Sequence, residues 1–194
     1  MQPHATDLFL HIRVVMGIVL GMGMTRLLTG LARFVQHPGT QKIYPVHLGW
    51  AASMLLTLIH FWWWEFALRQ IEYWSFLIYF FLIGYTILLY LLCTLLFPDN
   101  LAEYSGYEDF FLSRRKWFFS ILALTFVCDF IDTLLKGQAH VALFGSEYLV
   151  RLPAYLVLCA VAIWTANRRF HVAFVAASLI YQLSWIFRLF NTVT

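Results

Sequence analysis

The chain has 194 residues, of which 62% are hydrophobic and 12% charged, with a formal net charge of +3. A soluble domain carries roughly 25% charged residues, so this composition cannot cover a water-facing surface, and a mean hydropathy of +0.75 excludes the soluble globular and disordered classes. The 13 basic residues sit singly or in short groups between apolar runs, the pattern of helix-end anchors, which excludes nucleic acid and leaves the lipid bilayer as the surrounding partner.

A bilayer core of roughly 30 Å takes about 20 apolar residues in helix. Six runs of that size predict an all-α polytopic membrane helical bundle, a single integral membrane domain over 1–194. Helices are expected near 8–34, 44–66, 73–97, 117–135, 148–167 and 169–190, with a loop over 98–116. The first run is read as a helix and not as a cleavable signal. Its apolar stretch follows His11 and Arg13, exceeds signal-peptide length, and continues to Arg33 without an A-x-A site. Gly17, Gly21 and Thr25 recur every four residues, a small-residue stripe that lets another backbone approach, either within the monomer or in a homo-oligomer through helix 1. Gly23, Arg26, Gly30 and Arg33 form a second face, where Arg26 and Arg33 would meet lipid phosphate or the inner interface.

The second run holds His47, His60, the tryptophans Trp62, Trp63 and Trp64, and Glu65. His47 and His60 are 13 residues apart and fall on different faces at about 100° per residue, so two haems stacked along this helix are not expected. The histidines His11, His47, His60 and His171 offer no pairing rule for a single bis-histidine haem, and no cofactor or metal is assigned. The breaks His37-Pro38-Gly39-Thr40, Pro98-Asp99-Asn100 and Gly137-Gln138 stop helices. The 98–116 loop carries Asp99, Glu103, Glu108 and Asp109 before Arg114-Arg115-Lys116.

The fourth run is the most informative. Asp129 and Asp132 lie three residues apart on one helix face, and a charged Asp at mid-bilayer costs about 2.5–3.5 kcal/mol, so it faces protein or water and has a partner. Arg13, Arg151 and Arg188 come to the same level from other helices, and arginine holds a carboxylate with two parallel hydrogen bonds. The expected site is therefore a transport or charge cluster of Asp129, Asp132, Arg13, Arg151 and Arg188, with Glu65 and Gln182 as further members. Pro153, close to Arg151, reads as a first-turn proline.

Placing the 1–2, 3–4 and 5–6 loops inside collects eight basic residues against five, which puts both termini outside. The setting expected is a bacterial inner membrane. Cys93, Cys128 and Cys159 all lie in apolar runs and form no CxxC pair. HExxH, G-x-S-x-G, the G-x-G-D of intramembrane aspartyl proteases and histidine boxes are all missing, so enzymatic activity is not the preferred reading and no catalytic residue is assigned. Halves 1–3 and 4–6 show no internal repeat. The functional expectation is a small channel or transporter for ions or small solutes. The alternative is a non-catalytic membrane scaffold or subunit, and a third class is a haem-binding or other membrane enzyme.

Overall fold

The computed structural model describes residues 5–39, 42–71 and 73–190. The described residues form the helices α1 (Ala5–Gln36), α2 (Pro45–Trp64), α3 (Phe76–Thr94), α4 (Tyr107–Leu135), α5 (Gln138–Ala142), α6 (Gly145–Trp164) and α7 (Arg168–Phe190), and a 3-10 segment, Glu65–Gln70, continues α2. Six of these helices are long and apolar enough to cross a membrane, which makes this an all-α membrane bundle.

Local chemistry sets the helix ends. Pro45 opens α2 after an extended Tyr44, where its missing N–H breaks no helical bond. Ser75 caps α3 by accepting from the Ile78 N–H at 3.2 Å. At the start of α7, Asn167 Oδ1 accepts from the Arg169 N–H at 2.9 Å. Helix α4 begins ten residues before the predicted 117, so the expected 98–116 loop shrinks. The reason is that Glu108 and Asp109 stand in its first turn, where carboxylates favour the positive end of the helix dipole, and the charged residues after them are helix formers that extend past the apolar run. Helix α6 begins at Gly145, so Pro153 is an interior proline and not a first-turn one. Pro153 and Leu149 one turn earlier are both exposed on the outer face of α6, where the missing N–H removes one hydrogen bond from the helix.

The packing order resolves the bundle into a ring and a buttress. Helices α2, α3, α4, α6 and α7 each pack on the next and close on α2, while α1 lies outside the ring against α3 and α2. Helix α1 comes close to the segment that follows α3 because Gly30 has no side chain: a Cβ there would fall 2.3 Å from the Phe97 ring. Gly49 plays the same part between α2 and α7, where a Cβ would sit 2.8 Å from a Val175 methyl. The outward faces carry Leu10, Val14, Ile18, Phe80, Val157 and Ile180, all more than half exposed, which is the surface a lipid belt requires.

With an even number of long helices, the start of α1, the end of α7 and the α2–α3 and α4–α6 connections lie at one end of the bundle. The opposite end is held by polar groups. His47 Nε2 donates to the Leu96 carbonyl at 2.6 Å, and Arg26 donates to the Phe97 carbonyl at 2.7 Å and to Asp99 at 2.5 Å. These bonds satisfy carbonyls just past the C-terminus of α3.

Candidate functional site: a polar cavity within the helix ring

Inside the five-helix ring lies a cavity of about 130 Å³, nearer the end that carries the termini. Its lining is mostly apolar, and the polar groups in it include Ser53, Thr57 and His60 of α2, Tyr85 of α3, Thr125, Asp129 and Thr133 of α4, Tyr148, Arg151 and Tyr155 of α6, and Ser178, Tyr181 and Gln182 of α7. A water needs roughly 10–15 Å³ of such space, so the cavity accommodates several waters or one small polar molecule.

Asp129 and Arg151 are the charges in this lining. Arg151 forms an ion pair with Asp129 Oδ2, and the Tyr148 hydroxyl donates to the same oxygen at 2.9 Å. Thr133 Oγ1 lies 2.7 Å from the Tyr148 hydroxyl, which ties α4 to α6 a second time. The guanidinium stands over the rings of Tyr148 at 4.7 Å, Trp185 at 5.4 Å and Phe126 at 5.9 Å, so aromatic faces hold it where lipid-depth burial would otherwise be costly. The Asp129 side chain keeps 28% of its surface accessible and Arg151 14%, so the pair remains available to a molecule in the cavity. Across from it, Gln182 fastens α7 to α2, accepting from Ser53 Oγ at 3.0 Å and donating to Thr57 Oγ1 at 2.9 Å.

Aromatic layers bound the cavity along the bundle axis. On one side Trp50 packs edge-on against Phe118, Phe119 and Phe174 at 5.2–5.6 Å, and all four are almost wholly buried. On the terminal side, Trp64 meets Phe144 at 4.8 Å and His140 at 5.3 Å, and Phe144 also meets Trp185. The first layer is deep in the fold. The second is assembled from the end of α2 (Trp64), from α7 (Trp185) and from His140 and Phe144 of the segment between Gly137 and Gly145, which holds the single-turn helix α5 and acts as a lid. Gly137 has φ 100°, a left-handed conformation that only glycine adopts without strain, and it lets the chain reverse directly after α4.

A second charged group lies behind this lid and outside the cavity lining. Lys136 Nζ donates to Glu65 Oε1 at 3.0 Å and to Asp132 Oδ2 at 2.5 Å, and the three side chains are at most 2% accessible. Burial works against the Lys136 ammonium, but Glu65 and Asp132 outweigh it and hold the ammonium above its ordinary value. His140, on the lid, is held below the ordinary imidazole value by burial and then by Lys136.

The cluster expected from sequence thus divides. Asp129 and Arg151 meet as anticipated, and Gln182 and Glu65 are inside the bundle. Asp132 pairs with a lysine, not an arginine, because i,i+4 spacing on α4 puts Lys136 directly above it. Arg13 stands apart on α1, which lies outside the ring, its guanidinium stacked over Phe66 at 4.2 Å and Trp62 at 5.2 Å. Arg188 pairs with the exposed Glu147 at the rim, donating to both its oxygens at 2.6 and 2.7 Å. Of the small-residue stripe, Gly17 faces Trp62, Gly21 has open space around it, and the exposed Thr25 hydroxyl donates to its own helix at Gly21. The tightest point on α1 is Gly30, whose Cβ would fall 2.3 Å from the Phe97 ring; Gly17 comes next, at 2.9 Å from Trp62, and Gly23 is in ordinary contact with Cys93 at 3.4 Å. Arg26 closes the end of α3, and Arg33 is exposed at the same end. His171 Nε2 donates to the Thr165 carbonyl at 3.0 Å, so His47 and His171 both serve backbone carbonyls.

Lys136 and Tyr148 were not anticipated as site residues. The i,i+4 pair Asp132 and Lys136 was the signal for the first; nothing local marks the second. Among the described residues, no group of three or more His, Cys, Asp or Glu could hold a metal ion. No protein-family model, curated protein or solved structure matches the chain.

Proposed function

We propose that this chain is a small membrane transporter for ions or small solutes, with the cavity around Asp129 and Arg151 as its transport site. The observation that carries the reading is a cavity among five apolar helices whose lining includes the charged groups of Asp129 and Arg151. Such residues are expensive in lipid and are characteristic of solute and ion pathways. The buried aromatic layer at Trp50 on one side and the layer at Phe144, closed by the short segment between α4 and α6, on the other favour a carrier that opens to one side at a time over a continuously open channel. Because Asp129 and Arg151 cancel, a neutral or zwitterionic solute, or an ion with its partner, suits the site better than a bare charge. The positive-inside count places the cavity in the outer half, with both termini outside a bacterial inner membrane.

The test is flux into proteoliposomes holding the purified chain, for protons and a panel of small cations, anions and polar solutes. Asp129→Asn is expected to abolish a flux that the wild type supports while remaining folded, because the amide keeps the shape and loses the charge. Flux unchanged in the folded variant would refute the assignment of the site. A second reading, a membrane scaffold or subunit, draws on the open surface at Gly21. In that case Gly21→Leu would disrupt self-association without unfolding the monomer.

A further inference from the structure

We infer that Glu65 and Asp132 hold one proton between them beside Lys136, which makes this trio a buried proton-binding site at the root of the lid. Two observations carry this. The first is charge balance. The side chains of Lys136, Glu65 and Asp132 are 0–2% accessible, and with both carboxylates ionised the trio would carry an uncompensated negative charge. The desolvation penalty for a buried unpaired ion is several kcal/mol, and carboxyl groups that share one site do not both ionise.

Among the described residues, no neighbouring element forms an ion pair that supplies the missing positive charge. On α6, Arg151 is committed to Asp129, while Tyr148 is a neutral phenol bonded to that same carboxylate. Tyr85 is the group that α3 brings near, and it is also a phenol. His60 of α2 and His140 of α5 both pack on Trp64, at 5.4 and 5.3 Å between ring centroids, and neither forms an ion pair with the trio. Arg13 of α1 is stacked on Phe66 and Trp62.

The second observation is geometric. Glu65 Oε2 and Asp132 Oδ1 are both buried and have no hydrogen-bond partner among the described residues. A buried acceptor without a donor is costly. A proton on either carboxyl makes it an O–H donor and supplies what the trio lacks, and the two carboxyl groups are close enough to interact directly. Glu65 sits where α2 tightens into its 3-10 turn, and Lys136 directly precedes Gly137 and the lid helix α5. Loss of the proton would therefore place a net charge where the lid is attached. The site lies outside the cavity lining, so the inference does not depend on the transport reading and stands or falls without it.

Infrared spectroscopy of the full chain in lipid bilayers at pH 7 tests the inference. The wild type is expected to show a protonated-carboxyl C=O band that shifts in D₂O. The band should vanish in Glu65→Gln and in Asp132→Asn and persist in Asp129→Asn. Absence of the band from the wild type, or its survival in both trio variants, overturns the inference. If either variant fails to fold, the wild type alone is decisive through its unfolding equilibrium in mixed lipid–SDS micelles. A folded state holding one proton more than the unfolded chain loses stability as pH rises, so the unfolding constant should climb by up to tenfold between pH 7 and 8. A constant that stays flat over that range overturns the inference.

Discussion

Replacing Lys136 by Met is the most informative perturbation of the folded bundle. The ammonium donates to Glu65 at 3.0 Å and to Asp132 at 2.5 Å, and none of its side chain is accessible. Methionine fills a similar volume but leaves both carboxyl groups without their shared partner. Removing one member of a buried ion pair costs about 3–5 kcal/mol. For a chain of this size each kcal/mol moves Tm by about 2–4 °C, so a fall of about 6–20 °C is expected. The assay is thermal unfolding in detergent at pH 7, followed by circular dichroism. Two internal controls sharpen it. The loss should shrink at lower pH, where protons replace the missing ammonium on the carboxylates. The triple variant Lys136→Met, Glu65→Gln, Asp132→Asn should recover most of the loss, because no charge is then stranded. A fall of under about 2 °C for Lys136→Met, or a triple variant no more stable than the single, would refute the account of the trio.

Gly30→Ala should destabilise by about 1–3 kcal/mol, the range for overpacking, because the new methyl would meet the Phe97 ring at 2.3 Å, whereas Gly21→Ala should be neutral or slightly stabilising; chemical unfolding of the two side by side checks this. His140 gives a pH signature of definite sign. Burial and Lys136 hold its native value below that of the unfolded chain, so below about pH 6.5 the unfolded state binds more protons and stability falls as pH drops, a loss that should diminish in His140→Phe when Tm is measured across that range. Arg188→Ala should leave Tm nearly unchanged, since its pair with Glu147 lies at the exposed rim, where solvent screens it, and a large fall in Tm would show a role the geometry does not support.

The candidate site was legible where chemistry and helical spacing coincide. Asp129 and Asp132 stand out as carboxylates in an apolar run, and Arg151 as a base at the right depth. Arg13 and Arg188 share that depth, and depth was the only coordinate that counting residues from the helix ends could supply. Which helices adjoin is a matter of lateral packing, and neither hydropathy nor charge counting contains it. That is why Arg13, on a helix outside the ring, and Arg188, at its rim, never reach the carboxylates. Lys136 was overlooked for the opposite reason: the apolar run ends before it, so it read as a loop anchor, although one more turn of α4 carries it over Asp132.

By itself the sequence determined that this chain is an all-α membrane protein with six spanning helices, because each span must satisfy its own backbone in lipid and so announces itself as a continuous apolar run. It also determined that Asp129 and Asp132 would have partners, since a lone charge in lipid is too costly. Tertiary structure alone decided that five helices surround a cavity while α1 stands outside, that Gly30 and Gly17 meet close neighbours while Gly21 is left open, and that Lys136 binds the second carboxylate. The physical reason is that every span is apolar on the side facing lipid and largely apolar on the side facing protein. The pattern that separates inside from outside in a soluble helix is therefore muted here, and small residues and shape complementarity choose the neighbours.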